Sequence, residues 1–195
     1  HIRLVGQGAK EIYTVWVNNT KYNVPEKYVS KLEHLGMKPR MAYAVNCFDR
    51  DDTKNGITRF RILEKGPNIF RSFADYAEAS NTDPGGAEGP DWAITGTIPP
   101  RKKARDIRYT VMPIGQTQFS QAEIDLINRT NAVAEGRMSK EEYDKLPLGE
   151  KGLIDLDRFY DEERATKKLE ELLAGEGGLE GGESVESIGD SINPA

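Results

Sequence analysis

The sequence is poor in residues that build covalent cross-links and metal sites. It contains one cysteine, Cys47, and two histidines among 195 residues. A single cysteine excludes an intramolecular disulfide, which fits a reducing compartment. No apolar run approaches the length needed to cross a bilayer, and no signal peptide is visible. We therefore expect a cytoplasmic protein that does not associate with membranes.

The signals for catalysis are equally scarce. The two histidines lie far apart in the sequence, so a nucleophile–base pair cannot be argued. Asp49, Asp51 and Asp52 resemble a metal-binding cluster, but their spacing lacks the glycine and the distal glutamate of a calcium loop. We interpret them as a polar hairpin loop. Cys47 is expected to point inward from a strand and to be inert. The sequence predicts a protein that is not an enzyme and that carries no cofactor.

Charge is distributed unevenly along the chain. From Asp155 to Ala195 there are 12 acidic and 4 basic residues, a net charge of −8. The remaining 154 residues hold 20 acidic and 23 basic residues, a net charge of +3. This uneven charge, with a basic body and an acidic tail, indicates which partners the protein can bind but does not indicate its fold. The body is suited to a polyanion, and the tail is suited to basic proteins.

Alternating apolar and polar residues predict five short strands, at about residues 11–18, 40–49, 57–63, 91–96 and 107–112. An amphipathic helix is expected from Pro67 to about Ala79, and Pro99-Pro100 excludes a central strand at that point. This order favours a mostly β protein with helices, in which a five-stranded OB-type barrel carries one packed helix. We expect this core at residues 1–115, a helical extension at 116–174 and an acidic, flexible tail at 175–195.

Four segments resemble motifs of a known family. They are Tyr43 to Asp52, Arg61 to Phe70, Asp91 to Thr95 and Arg108 to Pro113. In order and spacing they are similar to the single-stranded DNA-binding proteins of tailed bacteriophages, which have an OB-type core, and the resemblance covers about residues 12–125. It implies sequence-tolerant binding of single-stranded DNA in replication, recombination and repair. It also implies an acidic C-terminal tail that recruits replication proteins.

The chain departs from this family in two respects. Many members carry a small Cys/His zinc site before the first hairpin, but His1, His34 and Cys47 cannot supply four such ligands. We therefore reject zinc. The tail also ends without the terminal phenylalanine of functionally related bacterial proteins, which weakens the expected recruitment role.

Binding a single strand without sequence preference requires cations along a groove and flat side chains on which bases stack. Cations cluster on outward strand positions, in the hairpin loop and in a basic loop before the last strand. The basic candidates are Lys21, Arg50, Lys54, Arg59, Arg61, Arg101, Lys102, Lys103, Arg105 and Arg108. For any one of these residues, the alternative to DNA binding is that it is an ordinary solvated surface residue.

The aromatic residues divide by strand face. Tyr43, Phe60 and Tyr109 alternate with core positions and are expected to be buried. The candidates for stacking on bases are Trp16, Tyr22 and Phe48, because Trp16 and Phe48 fall on the more polar faces of their strands and Tyr22 follows a lysine. Burial is the competing interpretation for each, since a barrel strand can be covered on both faces near its ends.

A protein–protein adaptor is the alternative function. In that interpretation the acidic helix at about 156–174 and the tail engage a polymerase, a helicase or a transcription enzyme. The helix is equally compatible with packing on its own domain. The candidate partner-binding residues are Glu176, Glu180, Glu183, Glu186 and Asp190. The sequence leaves the choice between DNA and RNA, and self-association on DNA, open.

Overall fold

The computed structural model describes residues 1–51, 60–100, 107–116 and 118–175. Within these residues the strands are β1 (Ile2–Val17), β2 (Thr20–Val24), β3 (Arg40–Asp49), β4 (Phe60–Lys65), β5 (Pro90–Thr97) and β6 (Arg108–Gln116). The helices are α1 (Glu26–His34), α2 (Pro67–Ser80), α3 (Gln121–Ile127), α4 (Lys140–Lys145), α5 (Leu156–Phe159) and α6 (Glu162–Gly175). Short 3₁₀ helices lie at Asn128–Asn131 and Leu148–Glu150.

The strands form a mixed α/β fold around a mostly antiparallel sheet. The hydrogen-bonded order is β4-β3-β1-β5-β6, and β2 pairs with β1 outside this path. Among the described strands this order is linear and does not close, and six strands are present rather than five. The predicted five-stranded OB-type barrel is therefore not confirmed. The additional strand is β2, at Thr20–Val24, for which the sequence predicted no strand, and β1 begins at Ile2 rather than at about residue 11.

The chain divides into two compact units that are discontinuous in sequence. The first comprises His1–Glu11, Ala42–Ile94 and Val111–Phe159, and the second comprises Ile12–Met41, Thr95–Thr110 and Tyr160–Ala195. Each unit contains residues from both sides of the boundary predicted at residue 115. That boundary, and the one at residue 174, stay predictions about the organisation of the sequence.

The core of the first unit joins residues that are distant in sequence. Val5, Phe48 and Phe60 pack with Leu126 and Ile154, and all five are buried. Large apolar side chains of this kind contribute roughly 1.5–3 kcal/mol each when they are fully buried. The segment after residue 116, expected to be a helical extension, therefore supplies part of this core.

Asn46 ties this later segment to β3. The buried side chain donates from Nδ2 to the Ile154 carbonyl at 2.9 Å, and its Oδ1 accepts from the Ile154 N–H at 3.1 Å. One amide thereby satisfies both backbone groups of a buried residue, which would otherwise be desolvated without partners.

Arg3 organises the loop between α2 and β5. Its guanidinium is fully buried and donates to the carbonyls of Pro90, Gly86 and Ala87 at 3.0, 2.7 and 3.1 Å. Burial lowers the pKa of Arg3, although an arginine remains protonated in proteins. Gly89 is required beside it, because a Cβ there would lie 2.5 Å from the Pro84 carbonyl oxygen and 2.6 Å from Arg3 Nη1. The loop is thus built around a buried cation.

The second unit is built on the β1–β2 hairpin. Asn18 and Asn19 both have positive φ, 48° and 62°, which defines the two-residue turn that suits the twist of paired strands. Leu169 of α6 is fully buried and belongs to the same core cluster as Leu32 of α1 and the hairpin residue Val15. The apolar face of α6 therefore packs within its own unit, which answers the question that the sequence left open for this helix.

Replacing Asn46 by alanine is expected to lower the free energy of unfolding by about 3 kcal/mol, since the two Ile154 backbone groups lose their partners inside the core. Urea denaturation followed by circular dichroism measures this change. The matched control is Asn68→Ala, at an exposed position in the first turn of α2, which should shift stability by less than about 0.5 kcal/mol. Equal midpoints for the two variants would contradict the role assigned to Asn46.

Candidate nucleic-acid interface

The β1–β2 hairpin has two unlike faces. Val15, paired with Tyr22, lies on the face that packs with the residues of α1 and α6 in the second unit. Trp16, paired with Lys21, lies on the opposite face because successive strand residues alternate. The helices therefore cover one face of the hairpin and leave the end of the other to solvent. We call this second surface the Trp16 face.

Trp16 and Lys21 are adjacent at the end of the hairpin. The Trp16 side chain is 56% exposed, an unusually high value for a tryptophan, and Lys21 is also exposed. Val17 and Thr20 flank the two-residue turn and form a hydrogen-bonded pair, so the next pair, Trp16 and Lys21, is not hydrogen-bonded. Opposed side chains lie closest in pairs of this second type. An open indole beside a lysine offers a base-stacking surface next to a phosphate-binding cation.

Arg108, also in the second unit, remains exposed at the first position of β6. The neighbouring Tyr109 is half-buried, and its ring would be 3.3 Å from a Cβ at Gly96 of β5. Tyr109 therefore packs across β5, as the sequence indicated, while Arg108 faces solvent. Trp16, Lys21 and Arg108 are the predicted site residues that the structure leaves exposed in this unit.

Of the three predicted stacking residues, Phe48 is wrong and Tyr22 is partly covered. Phe48 is fully buried, with its ring stacked on Phe60 at a centroid distance of 4.5 Å and meeting Phe119 edge-on at 6.0 Å. Both faces of β3 are covered at this point, so strand alternation did not indicate exposure. Tyr22 is half-buried and packs against the core cluster that contains Val15, and its stacking role stays a prediction.

Arg50 does not project into solvent as a DNA-binding cation. Its Nε contacts Asp91 Oδ1 at 3.3 Å, and its Nη1 pairs with Glu123, whose side chain is only 1% exposed. Arg50 therefore balances buried carboxylates. Arg61 is exposed on β4, opposite Cys47, but it belongs to the first unit.

Several predicted site residues lie outside the described part of the chain. The basic residues in this group are Lys54, Arg59, Arg101, Lys102, Lys103 and Arg105. The acidic candidates for partner binding in this group are Glu176, Glu180, Glu183, Glu186 and Asp190. Their roles stay predictions.

Asn23 is a residue of the Trp16 face that the sequence analysis missed. It pairs with Thr14 on the same face, and its side chain is half-buried. The signal was present in Asn18-Asn19, because a two-residue turn fixes the register and thereby places Asn23 two positions beyond Lys21 on one face.

The described residues show neither a metal-binding cluster nor an activated cysteine. None of them form a group of three or more His, Cys, Asp or Glu side chains that could hold a metal ion. Burial raises the pKa of the Cys47 thiol to about 12, so the reactive thiolate is scarce at neutral pH. No helix in the described ranges is both long enough and apolar enough to span a membrane.

Comparisons with models of protein families, with curated proteins and with solved structures give no match.

Arg50→Met is expected to lower the free energy of unfolding by about 3 kcal/mol, because it leaves the buried Glu123 carboxylate without its cation. Thermal or urea denaturation tests this, with the exposed Arg71→Met on α2 as the control. Adding Glu123→Gln to Arg50→Met should recover part of the loss, since the uncompensated charge is then removed. A double variant less stable than Arg50→Met alone would contradict the pairing.

Proposed function

We propose that this protein binds single-stranded DNA with little dependence on overall sequence, during phage DNA replication, recombination and repair in the host cytoplasm. The observation that carries the proposal is the Trp16 face, where an exposed indole lies opposite an exposed lysine on a hairpin supported from behind. The sequence resemblance to phage single-stranded DNA-binding proteins is consistent with this role.

The physical argument combines stacking with charge. A base stacked on an aromatic side chain contributes roughly 1–3 kcal/mol and does so for every base, because each has a π-face. A duplex keeps its bases stacked on one another, so an isolated surface indole favours unpaired strands. Lys21 and Arg108 supply positive charge in the same unit, and the basic residues 101–105 would add to it.

The adaptor function is the alternative, and the packing of α6 weakens it. Leu169 is fully buried in the second unit, so the apolar side of this helix is occupied within the chain. The acidic residues from Glu176 to Asp190 then remain as the candidate partner-binding residues of an adaptor. We propose that they recruit replication proteins in addition to, rather than instead of, DNA binding.

The direct test is a fluorescence-anisotropy titration of a labelled oligo-dT of about 16 nucleotides, against a duplex of equal length, at low and moderate salt. We expect tighter binding to the single strand and an affinity that falls steeply as salt rises. Little binding at any salt would reject the proposal and leave the adaptor function.

Trp16→Ala should weaken oligo-dT binding about tenfold through the loss of stacking. Lys21→Ala should weaken binding and lower the slope of log affinity against log salt by about 0.7, the value for one contact with a single-strand phosphate. The matched control for Trp16 is Leu35→Ala, because Leu35 is also 56% exposed and lies in the same unit. The matched control for Lys21→Ala is Lys168→Ala, because Lys168 is an exposed lysine on α6. Equal losses in variant and control would exclude the Trp16 face as the site.

Ending the chain after Gly175 should tighten oligo-dT binding at low salt if the acidic residues beyond it compete with DNA. This cut keeps Leu169 and the rest of α6, which belong to the core of the second unit. The same titration on full-length and shortened chains measures the effect. Identical affinities at low salt would show that the acidic residues do not compete.

A further inference from the structure

The end of the β1–β2 hairpin is exposed on both sides of its turn. Trp16 and residues 18–21 are exposed, and Val17 between them is half-buried. Val15 is buried in the core of the second unit, which anchors the strand just behind this end. Paired strands lie only about 4.8 Å apart, so the hairpin ends in a narrow, anchored tip that a large ligand can reach.

Trp16 is the well-exposed aromatic residue of this unit. The chain has two tryptophans, eight tyrosines and six phenylalanines, and all of them lie in the described ranges. Within those ranges the exposed aromatic residues are Trp16 and Phe159, and Phe159 belongs to the first unit. A single strand held by successive stacking needs several aromatic platforms along its path. The second unit instead offers one open platform, at the tip of the hairpin.

The end of a base-paired region is the nucleic-acid surface that matches a single platform. Inside a duplex each base lies between two neighbours, whereas the last base pair has one open face. That face consists of two bases that are already ordered by pairing. A base in a free single strand must first be immobilised, which costs entropy on binding. An indole on the last pair therefore covers more base surface at a smaller entropic cost.

Resting on the proposed function, we propose that Trp16 stacks on the last base pair of a junction where single-stranded DNA meets a duplex. Lys21 pairs with Trp16 on the same face, so its ammonium group lies beside the phosphates of that end. Two strands meet there, and a duplex carries twice the charge density of one strand. The unpaired strand that leaves the junction makes the sequence-tolerant contacts of the proposed function.

The test uses three labelled DNAs: oligo-dT of about 16 nucleotides, the same strand extending from a closed stem-loop duplex, and that stem-loop with a blunt end. The junction is made with the unpaired strand at the 5′ end and, separately, at the 3′ end. We expect at least one junction to bind the full-length protein roughly fivefold more tightly than oligo-dT, the gain from stacking one further base. The blunt stem-loop should bind most weakly, because it has no unpaired strand.

The variants separate stacking from charge. Trp16→Ala leaves every cation in place and should bind the junction and oligo-dT with similar affinity. Trp16→Phe should keep part of the difference, because a phenyl ring still stacks on a base pair. Leu35→Ala, at an equally exposed position of the same unit, should keep all of it.

The outcomes distinguish this inference from the proposed function. Equal affinity of the native protein for oligo-dT and both junctions, or a junction preference that survives in Trp16→Ala, would overturn the stacking role while leaving single-strand binding in place. A native protein that binds no DNA, or binds the blunt stem-loop as tightly as the junctions, would reject both. A junction preference that is lost in Trp16→Ala and kept in Leu35→Ala would support both.

Discussion

The two-residue turn at Asn18-Asn19 is the constraint on which the Trp16 face depends. Its two positive φ angles set the register of β1 and β2, and with it the face on which every following side chain lies. Val15 is thereby directed into the core with α1 and α6, while Trp16 is directed away from it. A shift of one residue would bury the indole and expose the valine. The backbone conformation of these two asparagines thus determines which side chains the Trp16 face exposes to solvent.

The two units use buried polarity in different ways. In the first unit, Arg3, Arg50 and Asn46 hold loops and later segments against the sheet through hydrogen bonds and ion pairs. Such groups must be satisfied, so each fixes a single arrangement of the chain around it. In the second unit the described core is a cluster of aliphatic and aromatic side chains. Trp16, Lys21 and Arg108 of this unit remain exposed, where they can meet a ligand.

Local pattern predicted much of the fold and a smaller share of the site. The strands at 40–49 and 91–96 and the helix beginning at Pro67 were recognised because alternation and the proline position are local signals. Phe48 was misjudged because both faces of β3 are covered, and the residues that cover them come from segments far along the chain. Arg50 was misjudged for the same reason, since its partner Glu123 lies 73 residues away. Exposure and pairing are tertiary properties, and a single sequence does not encode them locally.

The bond between Asn46 and Ile154 also affects the order in which the molecule is made. It spans 108 residues, and the core of the first unit includes side chains from both ends of that span. Contacts this distant form only after a large loss of chain entropy, which slows folding. During synthesis on the ribosome, the early strands therefore emerge long before the residues that complete their core. Their apolar faces stay uncovered in that interval, and exposed surface of this kind favours aggregation until the later segment is made.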